Sequence, residues 1–311
     1  MQAFLKRLLV FSICLALVLE VLIRALHLTT DIPERYVDEH GIQRYKPNQK
    51  GYYVKAKEPW EINAIGFNGR IDTSGRAIVG VIGDSYIENF MNPSACHQGI
   101  LLKQAFPSFA FFEAARSGVT FIEALEISKL LDHEINTQFH VMYFSNMDFY
   151  ESMYDLKPMG DRMQISLKEQ RLMPAQLKHP FLKKLLYASK LVYYFYLRFP
   201  IFVSKQNKAE TAGTTFKEHV FHQADFDLLF QYCRSHYNLN NFLWVFHAGV
   251  DPRIIATAQQ HGIKTILLQE PYLHAWARNK NDLHWSCEGH QAISRQVADS
   301  LKPLLQVRFP E

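Results

Sequence analysis

From residue 77 onward the chain alternates between short apolar runs and segments whose apolar positions recur at helical spacing. Apolar runs of about four to eight residues are typical of strands buried on both faces. The predicted strands are 77–82, 109–114, 140–145, 242–246 and 265–269, and the predicted helices are 97–106, 121–131, 226–236, 252–261 and 288–305. This alternation indicates right-handed crossovers and one parallel sheet covered by helices on both faces. We therefore expect residues 76–311 to form an α/β domain.

The N-terminus carries a different pattern, a long apolar stretch behind two basic residues. Lys6 and Arg7 precede residues 8–23, a stretch in which Glu20 is the charged exception. It is slightly shorter than the roughly 20 residues that span a bilayer, and no small-residue cleavage site follows it. We predict that residues 1–28 are an uncleaved membrane anchor; a cleaved signal peptide and an interfacial helix are the alternatives. The positive-inside rule would keep the N-terminus in the cytoplasm and the body periplasmic or otherwise outside the cytoplasm.

Two further segments depart from the α/β pattern. Residues 29–75 are polar and rich in turn-forming residues, which favours a stalk and lead-in over a separate core. Residues 150–220 form a basic insertion in which Lys and Arg outnumber Asp and Glu, with Leu, Tyr and Phe among the lysines. This insertion is interpreted as a helical cap whose apolar side packs on the core. The alternative is a basic, aromatic face that lies on anionic lipid or on a polyanionic glycan.

Charge and cysteine usage narrow the function classes. A net charge of +4 without a basic helix or an aromatic–basic RNA motif argues against nucleic acid as the main partner. The four cysteines, Cys14, Cys96, Cys233 and Cys287, contain no CxxC pair, which argues against a zinc ribbon or a redox motif. At most one internal disulfide can form among the last three, and Cys287 is interpreted as a small buried hydrophobe. No cofactor and no metal are predicted.

Candidate chemistry lies in two short segments far apart in the chain. Ser85 follows the first predicted strand through Gly83 and Asp84, while Asp282 and His284 stand two residues apart near the C-terminus. A serine needs a base to become a nucleophile, and the base needs a group that orients it. Because residues two apart point in different directions on a helix, Asp282 and His284 must lie on an extended segment to act together. The alternatives are a serine that caps a helix, a surface histidine, and a carboxylate at a helix start.

Four segments give the chain a resemblance to a known family. Residues 81–85, 112–118, 144–148 and 281–285 resemble the four sequence blocks of the SGNH (GDSL-type) hydrolases. The resemblance implies a three-layer α/β/α, flavodoxin-like fold, and an oxyanion hole made by the N–H groups of Ser85 and Gly118 and the amide of Asn146.

Two positions depart from the family pattern. Asn281 stands where the family has its acid, three residues before the histidine, and Met147 replaces the usual Asp after Asn146. The form Asp-x-His-Trp over residues 282–285 resembles the branch that contains glycan O-acetyltransferases.

These observations lead to one leading function and two alternatives. The leading function is a serine-dependent acyl-ester hydrolase or O-acyltransferase. The resemblance implies acylated cell-surface carbohydrate as its substrate, and a transferase would need a membrane-bound acyl donor protein as a partner. One alternative is a non-catalytic protein that binds glycan and organises a surface-polysaccharide pathway. The other is a lipid esterase.

Overall fold

The computed structural model describes residues 1–72, 74–75, 77–199 and 220–309. The strands are β1 (Arg35–Val37), β2 (Gln43–Tyr45), β3 (Lys50–Tyr53), β4 (Glu58–Glu61), β5 (Ile78–Gly83), β6 (Ala110–Ala115), β7 (Phe139–Phe144), β8 (Gln164–Ser166), β9 (Arg171–Met173), β10 (Phe242–Phe246), β11 (Thr265–Leu267), β12 (Ala277–Asn279) and β13 (Asp282–Trp285). The helices are α1 (Gln2–Ala25), α2 (Ser85–Glu88), α3 (Gln98–Ala105), α4 (Phe121–Ile135), α5 (Asn146–Ser152), α6 (Pro180–Ala188), α7 (Lys190–Arg198), α8 (Gln223–His236), α9 (Pro252–Gln260) and α10 (Cys287–Arg308).

The centre of the fold is a parallel sheet with the strand order β6-β5-β7-β10-β11. Its strands are the five apolar runs predicted from the sequence, and their ends differ from the prediction by a few residues at most. Numbered by their order in the chain, they read 2-1-3-4-5, the flavodoxin-like order. In this order the first and third strands are neighbours whose following connections leave in opposite directions, so a crevice opens between β5 and β7.

Helices cover both faces of this sheet, which confirms the expected three-layer α/β/α architecture. On one face α4, α5, α8 and α9 bury side chains such as Leu125 and Phe230. On the other face α3 and α10 bury Leu102 and Val297. Since β5 and β7 are buried along their whole length, the connections that follow them start from a rigid platform.

Residues 29–75 differ from the predicted stalk, because they fold into two antiparallel hairpins, β1–β2 and β3–β4. Tyr45, Trp60 and Ile62 form a small apolar cluster with Phe90 from the α/β body. Each of these strands has three or four residues, too few for an alternating pattern to be recognised in the sequence. The segment is therefore packed onto the domain that holds Ser85.

The basic insertion also differs in part from the prediction. Its first residues end α5, and the hairpin β8–β9 and the helices α6 and α7 follow. Residues 200–219 lie outside the described part of the chain. The predicted packing of its apolar side on the core is wrong for the two helices that the structure describes. Helix α6 buries none of its residues, and α7 buries only Lys190 and Tyr193.

At the N-terminus, α1 is long and apolar enough to cross a membrane. Most of its side chains are exposed in the structure, and Ile23 is its buried residue. The helix meets the rest of the protein near its C-terminal end, where Arg24 contacts the end of α6 and Glu20 contacts the start of α7.

A disulfide joins Cys96 to Cys287, the first residue of α10, across 191 positions of sequence. The interpretation of Cys287 as a free buried hydrophobe is therefore wrong. Beside this bond, the side-chain amide of Asn92 donates to the carbonyl of Trp285 at 2.8 Å. The turn that precedes α3 is thus joined to the start of α10 by a covalent bond and to the end of β13 by a hydrogen bond.

Replacing Cys96 and Cys287 together by Ser is expected to lower the free energy of unfolding by about 2–4 kcal/mol, because the open chain gains conformational freedom when unfolded. Urea denaturation of the full chain in detergent measures this change. Cys14→Ser is the matched control, since Cys14 is an exposed free cysteine on α1. Equal midpoints for the double variant and the control would contradict the prediction.

Candidate active site

Ser85 stands at the carboxyl end of β5, as the first residue of the short helix α2. Asp84 caps this helix by accepting a hydrogen bond from the N–H of Tyr86 at 2.9 Å. The turn is tight because Gly83 packs against Ile87; a Cβ at Gly83 would lie 2.5 Å from the Cγ1 of Ile87. The buried strand and the glycine together bring the Ser85 hydroxyl to the edge of the sheet.

His284 and Asp282 reach Ser85 from the strand β13. The Nε2 of His284 lies 2.9 Å from the Oγ of Ser85, and its Nδ1 lies 2.8 Å from the Oδ1 of Asp282. The expected extended segment is present, because alternate residues of a strand share one side. An ionised Asp282 fixes the proton on Nδ1 and leaves Nε2 as the acceptor of the serine proton. The structure thus brings the three predicted catalytic residues into one hydrogen-bonded chain.

Asp282 is held by a guanidinium as well as by the imidazole. The Nη1 of Arg278, across the β12–β13 hairpin, donates to its Oδ2 at 2.7 Å. Although burial alone would raise the pKa of Asp282, the hydrogen bonds from His284 and Arg278 hold it below its usual range. Sequence reasoning missed Arg278. Its position four residues before Asp282 could have indicated a basic partner for that carboxylate.

Tyr86 limits the freedom of the imidazole from the other side. Its ring centroid lies 4.8 Å from that of His284 and 4.9 Å from that of Trp285. Tyr86 directly follows Ser85, and Trp285 directly follows His284. The two short segments that carry Ser85 and His284 therefore also pack against each other.

Gly118 follows β6 and faces the same groove as Ser85. Its φ of +83° is a backbone conformation that glycine adopts without strain. Within the part of the chain that the structure describes, neither its N–H nor that of Ser85 has a hydrogen-bond partner. Both residues line the groove, and N–H groups without a partner are the kind of donor that an oxyanion hole requires.

Arg116 fixes the turn that presents Gly118. Its guanidinium is buried and bonds both carboxylate oxygens of Glu123 at 2.7 Å, while its Nη1 donates to the carbonyl of Ser117 at 2.8 Å. Nη2 alone donates to both oxygens of Glu123, and Nε donates to the carbonyl of Gln43 at 2.8 Å, so three partners hold the guanidinium in place. The position of the Gly118 N–H therefore depends on a buried ion pair.

The structure places Asn146 differently from Ser85 and Gly118. Its Oδ1 accepts from the N–H of Asp251 at 2.8 Å, and its Nδ2 donates to the carbonyl of Gly249 at 3.3 Å. The residue lines a smaller pocket next to the groove that holds Ser85 and Gly118. Because both polar ends of the amide bind the loop after β10, the structure does not bring Asn146 to Ser85, and its role as an oxyanion donor stays a prediction.

The groove around Ser85 has a volume of about 930 Å³ and a mixed charged lining. Arg162 lies over Gly118; its guanidinium would be 3.5 Å from a Cβ placed there. Burial raises the pKa of Asp84 to about 6. Burial, and after it the charge of Asp84, raise the pKa of Asp148 well above its usual range. Sequence reasoning missed Arg162 and this pair of carboxyls.

The described residues contain no group of three or more His, Cys, Asp or Glu side chains that could hold a metal ion. The hydrogen-bonded chain from Ser85 to Asp282 is complete with protein atoms alone. Its chemistry can therefore be derived from these residues.

No protein-family model matches the chain, and no curated protein matches it. Several solved structures are distantly similar. A lipase/acylhydrolase from Enterococcus faecalis is 13% identical with a TM-score of 0.39, and the alignment covers 73% of this chain and 96% of that one. A psychrotrophic esterase, EstA, from Pseudoalteromonas sp. is 10% identical with a TM-score of 0.38, covering 74% and 99%.

Arg278→Gln is expected to destabilise the protein by on the order of 1 kcal/mol near neutral pH, because it removes a charged hydrogen bond from Asp282. The pKa of Asp282 is lowered by folding. Its interactions therefore stabilise the fold above the usual carboxyl pKa, and this contribution is lost as the pH falls through the lowered value. The difference between variant and parent should shrink as the pH falls.

Urea denaturation of the full chain at neutral and acidic pH measures this difference. Arg295→Gln, on the exposed side of α10, is the matched control and should change little at either pH. A destabilisation of Arg278→Gln that does not depend on pH would contradict the assignment.

Proposed function

We propose that this protein is a serine-dependent acyl-ester enzyme. The observation that carries the proposal is the hydrogen-bonded chain Ser85–His284–Asp282, with bonds of 2.9 and 2.8 Å, beside the free N–H groups of Ser85 and Gly118. Acyl transfer requires a nucleophile, a base, a group that orients the base, and donors that bind the oxyanion. In this proposal Ser85 is the nucleophile, His284 is the base and Asp282 orients it, and the two N–H groups are the donors.

The mechanism follows from these positions. The Oγ of Ser85 attacks the ester carbonyl carbon while the Nε2 of His284 takes the hydroxyl proton, and the carbonyl oxygen becomes an oxyanion that the N–H groups of Ser85 and Gly118 bind. When the carbon–oxygen bond to the leaving alcohol breaks, His284 returns the proton to that alcohol and an acyl-serine remains. An incoming hydroxyl then repeats these steps in reverse and releases Ser85.

We further propose that the acyl group is carried on carbohydrate and that the second hydroxyl comes from water or from a sugar. The support is the resemblance of residues 282–285 to glycan O-acetyltransferases and a groove large enough for a sugar unit. Arg162 and Lys46 line the groove together with acidic side chains, and such a mixed lining can hydrogen-bond hydroxyls and carboxylates of a glycan. For the transferase version, the proposed partner is a membrane-bound acyl donor protein.

We place the body of the protein on the outer side of the cytoplasmic membrane, with the N-terminus in the cytoplasm. Lys6 and Arg7 at the start of α1 support this orientation through the positive-inside rule. The disulfide between Cys96 and Cys287 supports it independently, because such bonds persist in oxidising compartments.

A cysteine introduced on the body is therefore expected to react with a membrane-impermeant maleimide before the cytoplasmic membrane is opened. Val307→Cys is suitable, since Val307 lies on the body and is 86% exposed. Gln2→Cys is the matched position at the N-terminal end of α1, on the opposite side of the membrane from the body. Both are made in a Cys14→Ser background and labelled in cells whose outer barrier is permeable. Labelling of the Gln2→Cys variant in preference to Val307→Cys would contradict the orientation.

Ser85→Ala should abolish both labelling by a fluorophosphonate probe and hydrolysis of p-nitrophenyl acetate, because it removes the nucleophile. Asp282→Asn should lower turnover by about 10⁴-fold, since the amide favours the wrong imidazole tautomer.

Stopped-flow assays of both variants use the full chain in detergent, because α1 contacts α7. Ser94→Ala, an exposed serine outside the groove, is the matched control.

The time course separates the enzymatic alternatives. A burst that depends on Ser85 and precedes slow turnover favours a transferase that lacks its sugar acceptor, while fast steady turnover favours a hydrolase. Absence of any signal that depends on Ser85, in labelling and in turnover, would overturn the proposed function and favour the glycan-binding alternative.

A further inference from the structure

The helices α6 and α7 form an apolar surface that the described part of the chain leaves uncovered. Phe181, Leu182 and Leu185 on α6 are 80%, 63% and 61% exposed, and Val192, Phe195 and Phe199, at i, i+3 and i+7 on or next to α7, are about half exposed or more. Large apolar side chains grouped on one side of a helix are costly in water and mark a surface that meets something apolar. We call the surface formed by these six residues the α6–α7 face.

This face is fixed to the end of the membrane-spanning candidate α1. Glu20 accepts hydrogen bonds from the N–H groups of Lys190 and Leu191 at 2.9 and 2.7 Å, and Arg24 donates to the carbonyl of Ala188 at 2.8 Å. Glu20 is also the first charged residue after the apolar stretch that begins at residue 8. Glu20 and Arg24 are the charged residues near the C-terminal end of α1, and carboxylates avoid the hydrocarbon core. The end of α6 and the start of α7 are therefore held at the end of α1 that lies near the bilayer surface.

The segment that carries the face is basic. Residues 177–199 contain no Asp or Glu. Lys178 and Lys190 pair with carboxylates from other segments, whereas Lys183 and Lys184 are exposed and have no carboxylate partner among the described residues. Unpaired lysines that flank an apolar helix face are typical of helices that lie in the interface of an anionic bilayer.

The same helix forms a wall of the groove that holds Ser85. Pro180, Lys183, Lys184 and Tyr187, at i, i+3, i+4 and i+7, line that groove. Leu182 and Leu185 lie on the opposite side of α6 and do not line it. Phe181 also lines the groove, whereas Leu182 and Leu185, on the other side of α6, are apolar and exposed.

We propose that the α6–α7 face lies on the anionic phospholipid surface of the bilayer that α1 crosses, so that the groove of Ser85 opens next to lipid headgroups. The substrate then reaches Ser85 along the bilayer surface, with Lys183 and Lys184 between the headgroups and the groove. This inference goes beyond the proposed acyl-ester chemistry, and the geometry of the face does not depend on it.

The experiment reconstitutes the full chain, in a Cys14→Ser background, into nanodiscs of phosphatidylglycerol and phosphatidylcholine. Leu185→Cys carries an NBD fluorophore, Leu182→Cys is a second labelled position, and Val307→Cys on α10 is the matched exposed control. Cys233 is buried and the other two cysteines are bonded to each other, so labelling is specific. Fluorescence is recorded with and without lipids that carry a doxyl quencher.

The expected result is blue-shifted emission at Leu185→Cys and Leu182→Cys that doxyl lipids quench, with neither effect at Val307→Cys. Quenching should be stronger with phosphatidylglycerol than with phosphatidylcholine alone, and Lys183→Gln with Lys184→Gln should remove that difference. Emission like that of the control would overturn the proposal. A blue shift without quenching by doxyl lipids would also overturn it, since protein would then cover the face. Equal quenching in both lipid compositions would overturn the anionic partner.

The readout is independent of catalysis. The same measurements are made in a Ser85→Ala background, where the fluorescence should be unchanged. Loss of acyl-ester chemistry in the stopped-flow assays would overturn the proposed function and leave this result standing, so the two failures are distinguishable.

Discussion

The arrangement of the candidate site depends on the two-residue periodicity of one short strand. Because β13 is extended, Asp282 and His284 project from the same side, and the imidazole can bond the carboxylate with one nitrogen and Ser85 with the other. The antiparallel partner β12 holds β13 in this conformation and supplies Arg278 to the carboxylate. A helical segment with the same residues would send the two side chains in different directions.

The second half of the site depends on the parallel sheet. Ser85 and Gly118 follow neighbouring strands, β5 and β6, whose carboxyl ends lie at the same edge. The sheet was predictable because its strands are buried on both faces and therefore appear as unbroken apolar runs. The same runs located Ser85 at a strand end, and the spacing of Asp282 and His284 required an extended segment. These parts of the fold and site follow from local pattern.

Other features were beyond the reach of local pattern because they depend on partners distant in the chain. The hairpins over residues 29–75 have partners close in sequence, but their strands have three or four residues each, too few to show a recognisable period. Three cysteines allowed several pairings, so the bond from Cys96 to Cys287 could not be selected. Asn146 bonds a loop more than 100 positions later, which no spacing indicates. The bare apolar face of α6 is visible only once its neighbours are placed.

The bond between Cys96 and Cys287 has a consequence for the integrity of the site. It encloses the whole of residues 97–286, including the basic insertion, within one covalent ring. A single proteolytic cut anywhere in that ring would leave the fragment with Ser85 and the fragment with His284 tethered to each other. Ser85 and His284 would then stay close to each other after the backbone between them is broken, because the disulfide makes their encounter intramolecular.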